Sequence, residues 1–190
     1  MNNKIIVRYS PSDTGFLHIG GLRTLMWNYM WAKKHKNSSF HIRIENTDVT
    51  RRVDGSVDYL FKSLEWLGIT FDADVITQSE RTDIYKSHVL ELVKKGQAYF
   101  CFDSAEELSI LRGNNPEKPV GYGAYTREKM RNSLTLPKET VEELIHKGTP
   151  YIIRFKIEKN KTIIIDDGVR GKVSFNTNNL IDAVLIKSDG

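Results

Sequence analysis

The sequence predicts an α/β first half followed by an α+β second half. Three observations carry this. Residues 4–45 show a strand, helix, strand pattern. Two more amphipathic helices come next. After about Gln97 the texture changes to short strand-like runs, short capped helices and turns.

The run Lys4-Ile5-Ile6-Val7-Arg8-Tyr9 reads as a strand. Its near-continuous apolar stretch predicts a sheet covered on both faces. A helix beginning at Gly20 sets Leu22, Leu25, Met26, Tyr29 and Met30 at helical spacing and ends at His35-Lys36-Asn37. Phe40, Ile42 and Ile44 then alternate with His41, Arg43 and Glu45, as in a second strand. Strand, helix and strand in this order form a βαβ unit, so the two strands should be parallel with a right-handed crossover. Val57, Leu60, Phe61, Leu64 and Leu67 make another helix, stopped at Gly68. Ile84, Tyr85, His88, Val89 and Leu92 make a third, stopped at Gly96. His88 on that face is expected to be packed and hydrogen-bonded rather than a ligand.

In the second half, Ser104-Ala105-Glu106-Glu107 is a capping box that opens a short helix. Residues 112–125 are rich in Gly, Pro and Asn and read as a long loop. Residues 137–147 read as a helix ended by Gly148. Strands are expected at 151–157, 162–166, 172–175 and 183–186, paired antiparallel. The expected domains are 1–98 and 99–190. A parallel sheet of only two strands is too small to stand alone, so the sequence reads as a fragment of something larger.

Composition narrows the function. Hydrophobic residues make up 39% and charged residues 27%, which fits a soluble globular chain and not a disordered one. The net charge of +4 is a mild bias toward polyanions such as RNA or nucleotides. The excess lies in the N-terminal quarter, at Arg8, Arg23, Lys33, Lys34, Lys36, Arg43, Arg51 and Arg52. A solvated basic surface is the competing reading. Cys101 is the only cysteine, which excludes an internal disulfide and a cysteine-held zinc. It sits in the apolar run Tyr99-Phe100-Cys101-Phe102 and is expected to be a packing residue. Neither a signal-peptide stretch nor an apolar run of membrane-spanning length is present, so the expected location is cytoplasmic, with no membrane partner.

The chemistry concentrates in Pro11-Ser12-Asp13-Thr14-Gly15-Phe16-Leu17-His18-Ile19-Gly20-Gly21, between the first strand and the first helix. Unpaired N–H groups and the dipole at a helix N-terminus favour phosphate. Gly20 and Gly21 let a ligand approach the backbone, and His18 is placed to donate to phosphate oxygens. The pattern is neither a P-loop nor a dinucleotide fingerprint. Taken alone, the turn reads first as a plain strand-to-helix connection. Its context adds chemistry. Arg8 near the end of the first strand and Glu45 at the end of the second share the carboxyl edge of the sheet, where ligands bind in open α/β sheets. Such a pair suits the carboxylate and ammonium of an amino acid. The alternative is that Arg8 and Glu45 pair with each other.

The stretch from Arg8 to Gly21 resembles the signature of glutamyl-tRNA synthetases, R-F-A-P-S-P-T-G-x-L-H-I-G-G. Arg43-Ile44-Glu45-Asn46-Thr47-Asp48 resembles their R-I-E-D-T-D. Further matches follow in order: Leu64-Glu65-Trp66-Leu67-Gly68-Ile69, Gln78-Ser79-Glu80-Arg81, Tyr151-Ile152-Ile153-Arg154-Phe155-Lys156 and Arg170-Gly171-Lys172-Val173. Leu185-Ile186-Lys187-Ser188-Asp189-Gly190 is similar to the family's L-x-K-S-D-G. The resemblance implies the first half of a class I synthetase Rossmann-type parallel sheet, followed by an α+β insert that binds the tRNA acceptor end. It implies ATP with Mg2+, glutamate and tRNA(Glu) as partners, adenylate formation that commonly requires bound tRNA, and a monomeric full-length form. Carried over by position, His18 and Gly20 are catalytic. Thr14, Gly15, His18, Gly20 and Gly21 bind ATP, and Arg8, Ser10, Ser12 and Glu45 bind glutamate.

Three departures stand out. Asp13 replaces proline, Ser10 replaces alanine and Asn46 replaces aspartate. Asp13 is expected to weaken an ATP interaction unless it faces away. Some family members bind zinc through cysteines of the insert; a lone Cys101 implies none here. The family continues past S-D-G into a second Rossmann half and a K-M-S-K-S loop, so these 190 residues alone are expected to form no adenylate at a useful rate. Two alternatives are carried forward: a relative that glutamylates a modified base of tRNA(Asp), as a glutamyl-queuosine synthetase does, and a non-catalytic tRNA-binding paralogue.

Overall fold

A computed structural model describes residues 4–113 and 121–188. The chain divides into two compact units, Met1–Thr82 and Asp83–Gly190. Each is built around its own sheet.

The first unit runs β1 (Ile5–Tyr9), α1 (Ile19–Lys34), β2 (Ser38–Ile44), α2 (Ser56–Trp66) and β3 (Ile76–Thr77). Its strands lie in the order β1-β2-β3 and all pair parallel, with Tyr9 opposite Ile42 and Arg43 opposite Ile76. The βαβ unit is as the sequence predicts. The third strand corrects the expectation of a two-stranded sheet: two residues are too few to show alternation. The central strand buries Phe40, Ile42 and Ile44 against Leu25 and Ala32 of α1 and Leu60 and Leu64 of α2. Gly68 adopts φ +65° beyond α2, which lets Ile69 donate back to the Leu64 carbonyl and tuck into the core.

Coverage of β1 differs from expectation. Its burial alternates, and Ile6 is 58% exposed. The reason is position: β1 is the outer strand of its sheet and α1 packs on β1 and β2 from one side. Helix α1 starts at Ile19, one residue earlier than predicted, because the His18 side chain caps it.

In the second unit follow α3 (Thr82–Lys94), which begins at the division, β4 (Ala98–Cys101), α4 (Ala105–Arg112), α5 (Lys138–His146), β5 (Ile152–Phe155), β6 (Thr162–Asp167), β7 (Gly171–Asn176) and β8 (Val184–Ile186). β4, β5 and β8 form one antiparallel sheet in that order, and β6 and β7 form a separate hairpin. The division between units falls well before residue 98, where the texture changes. Val89 of α3 packs with Ala98 of β4 and Ile153 of β5, which ties that helix to the later strands. β4 escapes pattern reading because its apolar run does not alternate. His88 is exposed, contrary to expectation, because Val89, Leu92 and Val93 form the packed face of α3. The capping box at Ser104 has both its bonds. The expected loop at 112–125 lies partly outside the described residues, as do Asp189 and Gly190 of the last matched motif.

A buried polar hub holds the second unit. Asp182, fully buried, accepts from Tyr99 Oη at 2.5 Å, Arg127 Nη1 at 2.9 Å and the Ile157 amide at 3.0 Å. Arg154 donates to the Asp182 carbonyl at 2.9 Å and lies over the Tyr122 ring. Burial and the bond to Asp182 hold the Tyr99 hydroxyl far above its ordinary pKa. Cys101 is buried in the same core, its thiol pushed up to about 11 by desolvation, as suits a packing residue.

Candidate active site

The turn between β1 and α1 is shaped by its own side chains. His18 takes extended backbone angles, and its Nδ1 accepts the Gly20 amide at 3.2 Å, so the histidine is the N-cap of α1. An accepting Nδ1 requires the neutral ring to carry its proton on Nε2. The cap therefore leaves Nε2–H as a donor. It also explains Gly20: a Cβ there would lie 2.9 Å from His18 Cε1 and 3.1 Å from Nδ1. A Cβ on Gly21 would meet Tyr9 Oη at 3.0 Å and Leu17 Cδ1 at 3.2 Å. A side chain at Gly20 would thus press on the capping ring, and one at Gly21 would need Tyr9 and Leu17 to give by a few tenths of an ångström.

Ser12, Thr14, Gly15, His18 and Gly21 line a cavity of about 290 Å³. Its other wall comes from Ser56, Val57 and Leu60 of α2, with Tyr9 and Ile44 also lining it. Ser12 and Thr14 share a hydrogen bond of 2.9 Å between their hydroxyls. Phe16 meets Tyr59 of α2 edge to face at 5.4 Å. The α2 residues were legible in the sequence as one helical face. Nothing in the sequence brings that helix, some forty residues on, against the turn.

Arg8, Ser10, Gly20 and Glu45 do not line the cavity. Arg8 Nε donates to Ser10 Oγ at 2.6 Å. Glu45 forms its ion pair with Arg43, so the structure gives Arg8 and Glu45 separate partners. Glu45 nevertheless adjoins the turn. Its amide donates to the Pro11 carbonyl at 2.8 Å, and it bridges Ser12 in parallel register. The turn therefore continues the β1–β2 pairing past the strand ends, which places Glu45 beside Ser12.

Two departures from the signature acquire structural roles. Asn46 binds Ser79 twice, donating through Nδ2 to Oγ at 2.8 Å and accepting the Ser79 amide at 3.0 Å. Asp13 is buried and faces Arg52. Among the described residues no group of three or more His, Cys, Asp or Glu is arranged to hold a metal ion. No helix among them is long and apolar enough to cross a membrane.

The family model for tRNA synthetases class I (E and Q), catalytic domain, matches residues 4–190. A glutamate–tRNA ligase of Porphyromonas gingivalis is 46% identical over 196 aligned residues, covering 99% of this chain and 38% of the relative. One of Bacteroides fragilis is 47% identical over 193, covering 97% and 38%. The chain thus spans well under half the length of the curated relatives it matches. Among solved structures, a glutamate tRNA ligase from Elizabethkingia meningosepticum in complex with its amino acid superposes with a TM-score of 0.89 at 41% identity, covering 98% of this chain and 39% of that one. A glutamate-tRNA synthetase from Elizabethkingia anophelis gives the same score and identity. With the strand-to-helix turn, its capping histidine and the ordered motifs all falling inside that match, the chain belongs to the class I tRNA synthetases of the E and Q type.

Proposed function

We propose that this chain supplies the ATP- and glutamate-binding wall, and the acceptor-end module, of a glutamate–tRNA ligase. One observation carries the reading. A histidine-capped helix N-terminus opens onto a cavity whose rim carries Ser12 and Thr14, with Glu45 next to Ser12 at the sheet's carboxyl edge.

The residues fit a nucleoside triphosphate. The α1 N-terminus brings partial positive charge, His18 presents Nε2–H, and small residues at Gly15 and Gly21 border the cavity. Thr14 and Ser12 add hydroxyl donors. Glu45 and Arg8 offer one charge of each sign for the ammonium and carboxylate of glutamate. Glu45, already oriented by Arg43, needs little reordering to accept an ammonium group.

In the proposed reaction a glutamate carboxylate oxygen attacks the α-phosphorus of ATP. The bond to the bridging oxygen breaks, pyrophosphate leaves, and glutamyl-adenylate forms. A hydroxyl of the terminal ribose of tRNA(Glu) then attacks the acyl carbon and AMP leaves. His18 and the α1 dipole stabilise the charge that moves onto phosphate oxygens. No side chain becomes covalently bonded. Magnesium enters with the ATP phosphates. In this proposal the first compact unit serves in the first Rossmann half, and the strands from β4 onward serve as the acceptor-binding insert.

Calorimetric titration of the 190-residue chain with MgATP and then glutamate tests the binding half. Measurable ATP affinity that is lost in His18→Ala is expected, alongside no glutamate- and tRNA-dependent ATP–pyrophosphate exchange. Exchange at a useful rate would show that the chain is sufficient by itself. Absence of ATP binding would remove the nucleotide reading.

A further inference from the structure

Asp13 is the residue of the turn that chemistry would least expect. A carboxylate in a turn built for phosphate repels the ligand. Yet Asp13 is 3% exposed, while Ser12 before it and Thr14 after it both line the cavity and Asp13 does not. Its side chain is turned instead toward the 52–56 segment. There its Oδ2 lies 3.7 Å from Arg52 Nε. Its Oδ1 is buried with no hydrogen-bond partner among the described residues. The Asp13 carbonyl is held as well, accepting the Val53 amide at 2.8 Å and Ser56 Oγ at 3.1 Å. Residue 13 thus pins the turn to the 52–56 segment, and Ser56 at the end of that segment forms part of the opposite cavity wall.

Resting on the nucleotide reading above, we infer that Arg52 is a positioning residue for the phosphate turn and that it acts through Asp13. A buried carboxylate with an unsatisfied oxygen is costly unless a cation offsets it. Arg52 is the cation the structure sets against it, and its side chain is 62% exposed, so it reaches the carboxylate from the solvent side. With the pair intact, the negative charge is compensated and turned from the cavity. Without Arg52 the carboxylate has two ways to regain solvation: swing toward the cavity, or drag the turn outward. Both weaken nucleotide binding. Asp13 and Arg52 therefore work as a unit, and the loss of one matters only while the other is present.

A double-mutant cycle read by MgATP affinity and by thermal melting decides the matter. The parent chain is titrated first. If it binds no ATP, the nucleotide reading falls and this inference falls with it. If it binds, Arg52→Met is expected to weaken affinity by about three- to tenfold, and Arg52→Lys to stay within about twofold of the parent. In an Asp13→Asn background, the same Arg52→Met change is expected to have no effect on affinity. Equal weakening in both backgrounds would mean that Arg52 meets the phosphates directly, and the inference fails. A change in melting temperature with unaltered affinity would mean a purely structural pair, and it fails again.

Discussion

The proposed dual use of His18 predicts that capping and ligand binding can be separated. The ring does two things at once. Nδ1 accepts the Gly20 amide at 3.2 Å, and Nε2–H is left facing outward from an exposed side chain. Removing an N-cap costs about 1 kcal/mol. Asparagine is among the best N-caps but is too short to reproduce the imidazole's far nitrogen. His18→Ala should therefore destabilise the first unit by about 1 kcal/mol, and His18→Asn by less than about 0.5 kcal/mol. A hydrogen bond to a charged phosphate is worth about 1.5–3 kcal/mol, so both variants should bind MgATP roughly ten- to 150-fold more weakly. Gly20→Ala should behave like a loss of the ring in binding, because its Cβ would press on Cε1 from 2.9 Å. Stability can be followed by tryptophan fluorescence during urea unfolding. All three tryptophans, Trp27, Trp31 and Trp66, lie in the first unit, so the signal reports that unit. Parent-like ATP affinity in His18→Asn would refute the ligand role. Equal destabilisation by Asn and Ala would refute the cap.

Other outcomes follow from the same geometry. Asp182→Ala should destabilise the second unit by about 3–5 kcal/mol, since it strands buried Arg127 without its carboxylate; hydrogen exchange of the β4 and β5 amides reads this. Asn46→Asp should leave stability within about 0.5 kcal/mol, because a carboxylate accepts from both the Ser79 amide and hydroxyl, while Asn46→Ala loses both bonds and about 1 kcal/mol. Cys101 has its thiol pKa raised from 9.0 to about 11, so the folded state holds that proton more tightly than the unfolded state. Its stabilising contribution is thus complete below pH 9 and lost between pH 9 and about 11, amounting to about 2–3 kcal/mol. Denaturation at stepped alkaline pH, compared with Cys101→Ala, isolates it from Tyr99 and Tyr122, whose raised values extend the loss upward.

Much of this was legible because the signals were local. Leu60 and Leu64 are set at helical spacing and are buried together; Phe40, Ile42 and Ile44 alternate and all point into one core. Positions of helix ends followed from Gly68, Gly96 and Gly148, each of which adopts positive φ. The failures were nonlocal. β3 exists only because β2 offers it a partner, and two residues carry no period. His88 was misplaced because helical spacing alone does not say which flank of a stripe meets its neighbour. At the site, motif order identified the turn and Glu45, but the partners Arg43, Ser56 and Arg52 came from folding. Asp13 reads in sequence as an acid beside a phosphate site; only folding shows that it lines no part of the cavity and faces Arg52.

The placement of Asp182 has a consequence during synthesis. The first unit closes on itself by Thr82, so its core can form as soon as those residues leave the ribosome. The second cannot. Tyr99 waits for a partner 83 residues later, and Arg127 and the Ile157 amide wait for the same carboxylate. At roughly 5–20 residues per second, about 5–20 s separate the two events. During that interval Tyr99, Arg127 and their neighbours are without the group that makes their burial favourable, and the closing of a long loop adds its own entropic delay. The nascent protein therefore spends its early life with a finished β1–α1 turn and an unfinished second unit, which is the stage at which a chaperone would find most to hold.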